Sequence, residues 1–161
     1  MIDAAALDEA AALLEALQAQ GITLATAESC TGGLIAAALT AIPGSSATVL
    51  CGFVTYSNAA KASMLGVPEE LLARVGAVSE EVARHMAEAA LERSGAGLAL
   101  SCTGIAGPGG GSAEKPVGLV HLAGARQGGP VVARRHVFGG DRAAIRLATL
   151  REALRIAHSL L

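Results

Sequence analysis

The sequence predicts an α/β fold: a three-layer α/β/α sandwich on a mixed five-stranded sheet whose fourth strand is antiparallel. Three observations support this prediction. Strand-like and helix-like segments alternate over residues 3–102, which is typical of parallel strands joined by helices. Residues 103–116 are rich in Gly and Pro and leave no room for a crossover helix. Only residues 127–130 separate the last two strands, a spacing that closes a hairpin but cannot make a parallel crossover.

The first part of the chain supplies two helices that each precede a strand. Apolar residues recur at three- and four-residue steps from Asp3 to Gln20, which predicts an amphipathic helix. The short apolar segment Ile22–Ala27 predicts strand one, and the Ala/Leu-rich residues Thr31–Thr40 predict the following helix. A loop at Pro43–Ser46 leads into Ala47–Tyr56, whose β-branched and aromatic residues predict strand two.

The middle of the chain adds three helices and strand three. The pair Ser57-Asn58 can cap a short helix that ends at Gly66, and Pro68 can open another that runs through Arg74. A longer helix, capped by Ser79, extends to about Arg93. The apolar segment Gly97–Cys102 then predicts a strand that is buried on both faces.

Two strands and one helix complete the predicted fold. The strands cover Val117–Arg126 and Val131–Phe138, and the last helix runs from about Asp141 to the end. Helices separate strands one to three, so we expect these strands to be parallel. Strand four follows a loop and pairs with strand five as a hairpin. We find no internal repeat or linker, and the 161 residues are expected to form a single domain.

Composition limits the classes of partner. Hydrophobic residues make up 52% and charged residues 16%, which excludes a disordered chain. The net charge is −2 and aromatic residues are only 2%, so a nucleic-acid partner is not expected. The longest apolar stretches are interrupted before about 18 residues, which predicts no membrane span. An Ala/Leu-rich helical surface favours a homo-oligomer.

Cysteine usage and the N-terminus indicate the compartment. Cys30, Cys51 and Cys102 are odd in number, far apart and not part of any C-x-x-C pair. Neither a zinc site nor a redox motif is predicted, and no metal is expected. The sequence begins Met-Ile-Asp, which is not a signal peptide. A reduced, cytoplasmic location is therefore expected.

Ser29 is the first candidate catalytic residue, because it lies at the junction between strand one and the following helix. Backbone N–H groups at such a junction have no intrahelical partner. The serine can therefore be a nucleophile beside an oxyanion site or an ordinary helix cap. The neighbouring Gly32 and Gly33 favour the first alternative, since they let a ligand approach the backbone and are costly inside a helix.

Lys61 is the second candidate and lies just after strand two. It can be a solvated surface lysine, as most lysines are. If it is desolvated beside Ser29, its pKa falls and the neutral amine can take the serine proton.

An anion site is the third candidate. The loop after strand three contains Gly107, Gly109 and Gly110, and successive glycine N–H groups can form an anion nest. Arg142 opens the last helix, where a cation is unfavourable for the helix dipole but can face an anionic ligand or simply be solvated. The loop lacks the G-x-x-x-x-G-K-[ST] pattern of triphosphate-binding loops.

Taken together, these segments resemble the CinA C-terminal domain family, the nicotinamide-nucleotide amidases. The matching segments occur in order along nearly the whole chain: Thr26–Gly33, Thr55–Lys61, Gly76–Glu80, Ser101–Pro108, Lys115–Gly118 and Gly140–Arg142. The larger members of the family carry an additional N-terminal domain, to which nothing in these segments corresponds.

The resemblance implies a function and a mechanism. It implies hydrolysis of the carboxamide of nicotinamide mononucleotide to nicotinic acid mononucleotide and ammonia, without a cofactor. It also implies Ser29 as nucleophile, Lys61 as its base, and Tyr56 and Thr103 as supporting polar groups. The alternative is a non-catalytic nucleotide-sensing or regulatory module linked to competence or DNA damage.

The chemistry of that substrate suggests further contacts. Backbone N–H groups near Thr31, Gly32 and Gly33 are candidate donors to an oxyanion. The glycine loop or Arg142 is a candidate phosphate site. Glu28 or Tyr56 is a candidate neighbour for the positively charged pyridinium ring.

Overall fold

The computed structural model describes residues 2–161 and contains one mixed sheet with strand order β2-β1-β3-β4-β5. Its strands are β1 Leu24–Glu28, β2 Val49–Val54, β3 Leu98–Gly104, β4 Leu119–Arg126 and β5 Val131–Val137. Strands β2 and β3 flank β1 in parallel, whereas β4 is antiparallel to both β3 and β5. The predicted fold class and the antiparallel fourth strand are confirmed.

In the described range, residues 2–161, six α-helices cover the two faces of the sheet. They are α1 Ala4–Ala19, α2 Leu34–Thr40, α3 Asn58–Leu65, α4 Glu69–Val75, α5 Glu80–Ser94 and α6 Arg142–Ser159. Helices α1, α2 and α6 pack together on one face, and α3, α4 and α5 pack on the other. Each face closes over a cluster of buried Ala, Leu, Val and Ile side chains, because the chain has few aromatic residues to fill the core.

Some element boundaries differ from the prediction, and local geometry explains them. Helix α2 begins at Leu34 rather than Thr31, because Gly32 and Gly33 have φ angles of +59° and +95°, outside the right-handed helical region. Part of the predicted start of strand two is a 3₁₀ turn, Ser45–Ala47. Strand β3 runs to Gly104 because β4 continues to pair with it there.

The parallel strands create the position of the candidate site. The carboxyl ends of β1, β2 and β3 meet at one edge of the sheet. The chain leaves β1 toward one face through α2 and leaves β2 toward the other through α3. Such a reversal opens a crevice at the strand ends, which is where ligands bind in open α/β sheets.

Candidate active site

Ser29 occupies a tight turn directly after β1. Its N–H donates to the Cys102 carbonyl on β3 at 3.1 Å, and its own carbonyl accepts from the Gly32 N–H at 3.0 Å. The side chain is 7% exposed. Within residues 2–161, its hydroxyl accepts no hydrogen bond from a helix N–H group, so Ser29 is not a cap.

The cap of α2 is Glu28. Its carboxylate accepts from the backbone N–H groups of Gly33, Ile35 and Ala36 at 3.1, 3.0 and 2.8 Å. It also accepts from the Thr31 hydroxyl at 2.6 Å. Four donors therefore offset the cost of burying a carboxylate that is fully inaccessible to solvent.

This arrangement places the side chains of Glu28 and Thr31 outside the crevice in which ligand contacts were predicted for them. Both side chains are fully buried and bonded to each other, so they do not line the crevice. It also removes two of the expected oxyanion donors, because the Gly32 N–H is bonded to Ser29 and the Gly33 N–H to Glu28. In the described part of the chain, the Cys30 and Thr31 N–H groups of the same turn donate to no protein acceptor.

Lys61 meets Ser29 inside the protein. Helix α3, capped by Ser57, turns Lys61 and Leu65 inward on one face. The Lys61 side chain is only 1% exposed. Its Nζ lies 2.9 Å from Ser29 Oγ and donates to the Thr55 carbonyl at 2.8 Å. The surface-lysine alternative is therefore excluded.

Burial lowers the pKa of Lys61 below the ordinary lysine value of 10.5, although negative charge on Cys30 or Cys102 would counter the shift. No carboxylate forms an ion pair with this amine among residues 2–161. The arrangement therefore favours the neutral amine, whose lone pair can accept the serine proton.

Two thiols adjoin the Ser–Lys pair. Cys102 is fully buried, and its Sγ lies 3.0 Å from Thr31 Oγ1. Hydrogen bonding with Cys30 and burial together raise the pKa of Cys102 well above its usual value, so this thiol stays protonated. Both cysteines are free. The sequence analysis assigned neither of them to the site.

A cavity of about 260 Å³ opens in front of Ser29. Its wall consists of the turn after β1, the aromatic residue after β2, the glycine loop after β3 and the start of α6: Ser29, Cys30, Tyr56, Gly104, Ile105, Ala106, Gly107, Gly109, Gly110 and Arg142. Arg142 joins two of these segments, since it donates to the Tyr56 hydroxyl and to the Gly107 carbonyl, both at 2.8 Å. The structure thus brings the expected loop glycines, Tyr56 and Arg142 to one cavity.

Thr103 does not lie on that cavity. Its side chain is 1% exposed, and its hydroxyl donates to the Ala77 carbonyl at 2.9 Å. The contact ties β3 to the segment before α5, and the Thr103 side chain is not among the groups that line the cavity in front of Ser29.

A larger cavity of about 730 Å³ lies elsewhere, at the start of α5. Charged side chains form much of its wall, among them Arg84, Lys115 and Arg135. Neither Ser29 nor Lys61 reaches it. The smaller cavity is the candidate active site, because Ser29 lies on its wall and contacts Lys61, whereas neither residue lies on the larger one.

The comparison with known families agrees with this geometry. The family model of the CinA C-terminal domain matches residues 7–161. The chain belongs to the CinA C-terminal domain family. A solved structure, that of the competence/damage inducible protein CihA from Agrobacterium tumefaciens, superposes with a TM-score of 0.97 at 52% identity. The match covers 99% of this chain and 98% of that one.

Relatives of two lengths share the CinA domain. The nicotinamide-nucleotide amidohydrolase PncC of Escherichia coli (strain K12) is 55% identical over 141 residues, which cover 88% of this chain and 86% of the relative. The CinA-like protein of Geobacter sp. (strain M21) is 57% identical over 155 residues, or 96% of this chain but 37% of the relative. The chain thus spans about a third of the length of the CinA-like relatives that it matches.

One residue of this CinA domain was not identified from the sequence. Arg146, one turn after Arg142 on α6, donates to the Thr31 carbonyl at 2.6 Å and lies beside Gly32. A side chain at Gly32 would point toward this guanidinium. The i,i+4 spacing of the two arginines was the available signal, because it places both on one helix face.

Two further findings concern metals and membranes. Among residues 2–161, no group of three His, Cys, Asp or Glu side chains is arranged to hold a metal ion. None of the helices in that range combines the length and apolar character needed to span a bilayer.

Proposed function

We propose that this CinA domain is an amidohydrolase that converts nicotinamide mononucleotide to nicotinic acid mononucleotide and ammonia. One observation carries the proposal: the hydroxyl of Ser29 lies 2.9 Å from a lysine amine that is buried and free of carboxylate partners. A hydroxyl in contact with a neutral amine is the minimal equipment for nucleophilic attack on an amide. PncC relatives from E. coli and Enterobacter agglomerans, which are named nicotinamide-nucleotide amidohydrolases, support this substrate.

In the proposed reaction, Ser29 Oγ bonds to the carboxamide carbon and its proton passes to Lys61 Nζ. The Cys30 and Thr31 N–H groups stabilise the resulting oxyanion. Collapse of this intermediate breaks the C–N bond, and Lys61 returns the proton to the departing ammonia. Water then attacks the acyl-enzyme with Lys61 again as base, which releases the carboxylic acid and restores Ser29.

The rest of the cavity suits a nucleotide. Arg142 and the N–H groups of the Gly107–Gly110 loop offer charge and hydrogen bonds to a phosphate. Tyr56, whose side chain is 58% exposed, offers an aromatic face to a cationic pyridinium ring. Glu28 plays no part in ring binding in this proposal, because its carboxylate already accepts hydrogen bonds from the N–H groups at the start of α2.

The deciding experiment is ammonia release from nicotinamide mononucleotide. The unmodified chain should release ammonia, and Ser29→Ala should lose about a thousandfold or more in kcat while remaining folded. Ser79→Ala is the matched control: Ser79 caps α5, and its loss costs about 1 kcal/mol of stability without touching the cavity. If a folded Ser29→Ala protein turned over the mononucleotide near the unmodified rate, the assignment of Ser29 as the nucleophile would be refuted.

The same assay tests two other expectations. Activity should persist in EDTA, and loss on chelation with recovery on adding a divalent ion would contradict the expected metal independence. A purified chain that binds the mononucleotide without releasing ammonia would support the regulatory alternative instead.

A further inference from the structure

We propose that Glu28 and Arg146 are positioning residues that together hold the Ser29 turn in its reactive shape. The inference rests on the proposed function and adds two residues to it. Neither side chain lines the cavity, so neither can contact the substrate there.

The turn needs external support because its own hydrogen bonding is sparse. Its ends are closed by the bond from the Gly32 N–H to the Ser29 carbonyl. The N–H groups of Cys30 and Thr31, inside the turn, have no protein acceptor among residues 2–161. Two unpaired donors side by side would readily rotate toward other acceptors unless neighbouring groups fixed the peptide planes.

Glu28 fixes the turn from the core side. Its carboxylate binds the Thr31 hydroxyl and the first N–H groups of α2, so the turn and the helix are anchored to one buried group. All four contacts are donors to carboxylate oxygens. An amide in place of the carboxylate would present an NH₂ group to one of these donors, and the backbone would have to shift.

Arg146 fixes the turn from the α6 side. Its Nη2 donates to the Thr31 carbonyl at 2.6 Å, which holds the peptide plane between residues 31 and 32. The guanidinium lies beside Gly32, and a Cβ at that position would be in ordinary van der Waals contact with Nη2, at 3.8 Å. The Arg146 Nε is buried without a hydrogen-bond partner in the described residues, so the side chain is committed to this single strong contact.

The test compares Glu28→Gln, Arg146→Met and Arg146→Lys with Leu98→Ala. Leu98 is fully buried at the amino end of β3, at the opposite edge of the sheet from Ser29, and serves as a control for lost stability alone. We expect kcat to fall about ten- to hundredfold in Glu28→Gln and Arg146→Met, with KM within about threefold, because a misplaced oxyanion donor affects the transition state. Arg146→Lys should recover part of the loss, since an amine can still donate to the Thr31 carbonyl.

A second readout does not depend on the substrate assignment. An alkyl fluorophosphonate reacts with an activated serine: the Ser29 Oγ–P bond forms, the P–F bond breaks, fluoride leaves and the serine proton passes to Lys61. The phosphoryl oxygen requires the same N–H donors, so intact mass should show slower Ser29 labelling in Glu28→Gln and Arg146→Met and an unchanged rate in Leu98→Ala.

The outcomes separate the two proposals. Folded Glu28→Gln and Arg146→Met proteins that are labelled at the unmodified rate would overturn the positioning role. If Glu28→Gln does not fold, Arg146→Met decides alone. Slower labelling in the variants of a chain that never hydrolyses the mononucleotide would support the positioning role and refute the substrate. An unmodified chain that releases ammonia from the mononucleotide but is not labelled at Ser29 would overturn the positioning role and leave the substrate standing.

Discussion

At the scale of single residues, the proposed activity depends on the protonation state of Lys61. Lys61 can act as a base only when it is neutral, and its burial removes the solvation that stabilises the charged form. The nearest compensating groups are the Thr55 carbonyl and Ser29 itself, both uncharged. The pKa of this amine therefore links the fold to the rate of the proposed reaction.

Replacement of Lys61 should reveal whether its role is basicity or charge. We expect Lys61→Arg to be nearly as damaging as Lys61→Ala, with losses in kcat of about 10²–10⁴, because a guanidinium stays protonated and cannot accept the serine proton. The pH profile of kcat/KM in the unmodified enzyme should rise along a limb below pH 10.5. An Arg variant that keeps most of its activity would instead assign Lys61 an electrostatic role.

Stability should depend on pH through the same residue. The folded-state pKa of Lys61 is lowered, so between that pKa and the ordinary value of 10.5 the unfolded chain binds more protons than the folded one. Its contribution to the free energy of unfolding therefore rises with pH across this window and is lost as pH falls through it. Urea titrations of the unmodified chain and Lys61→Met should show this slope only in the former.

Arg142 belongs to substrate binding in the proposed function, and its loss should appear in KM. Removal of a charge-assisted contact to a phosphate is expected to raise KM about ten- to hundredfold in Arg142→Met, with kcat within about threefold. Arg134→Met is the matched control, since Arg134 is exposed on β5 and, among residues 2–161, its side chain bonds only to the adjacent Ala133 carbonyl. A fall in kcat with unchanged KM would contradict the phosphate-binding role.

At the scale of helices and strands, local signals located most elements. The caps Ser57, Ser79 and Asp141 each accept from an N–H three residues later, as their spacing predicts. Helix α2 departs from this rule. Its cap, Glu28, lies six residues before the first helical residue, and its side chain reaches forward across the turn to the helix N-terminus. Rules that examine the residue next to a helix cannot find such a cap, so the sequence left Ser29 as the candidate cap.

The passage from the glycine loop into β4 depends on Gly118. Its φ is +94°, and a Cβ there would lie 2.0 Å from the Phe138 carbonyl oxygen. Gly118→Ala should therefore lower the free energy of unfolding by about 3 kcal/mol or more, through strain and displacement of the β5 end. The control is Gly128→Ala, a hairpin glycine with φ of +67° and nothing within 4 Å, where only about 1 kcal/mol is expected. Equal losses in urea titrations would contradict the steric argument.

At the scale of the whole molecule, the sheet gathers residues that are far apart in sequence. The carboxyl ends of β1, β2 and β3 place Ser29, Tyr56 and the glycine loop at one edge of the sheet. The start of α6 places Arg142 at the same edge. The order of motifs along the chain was visible in the sequence, but their meeting point follows from the strand order and from the crossing of the chain between the two faces of the sheet.

Self-association remains a prediction at this scale. Several large apolar side chains are exposed on the isolated chain, among them Leu50, Val54 and Met64. Covering them would remove apolar surface from water, which favours a homo-oligomer. Sedimentation at micromolar concentration should give a mass above that of a single 161-residue chain. A single-chain mass across that range would contradict the expectation.

By itself the sequence determined the fold class, the hairpin of β4 and β5 and the pairing of Ser29 with Lys61 as candidates. Hydrophobic periodicity, helix caps and loop lengths predict the local backbone conformation, because each depends on only a few neighbouring residues. Only the tertiary structure decided that Lys61 is desolvated, that Glu28 serves α2 rather than the ligand and that Arg146 supports the turn. The Lys61 and Arg146 outcomes depend on contacts between residues 32 and 115 positions apart, which no local pattern shows. Glu28 binds N–H groups only five to eight residues away, but across a turn whose shape is set by its burial against the rest of the fold.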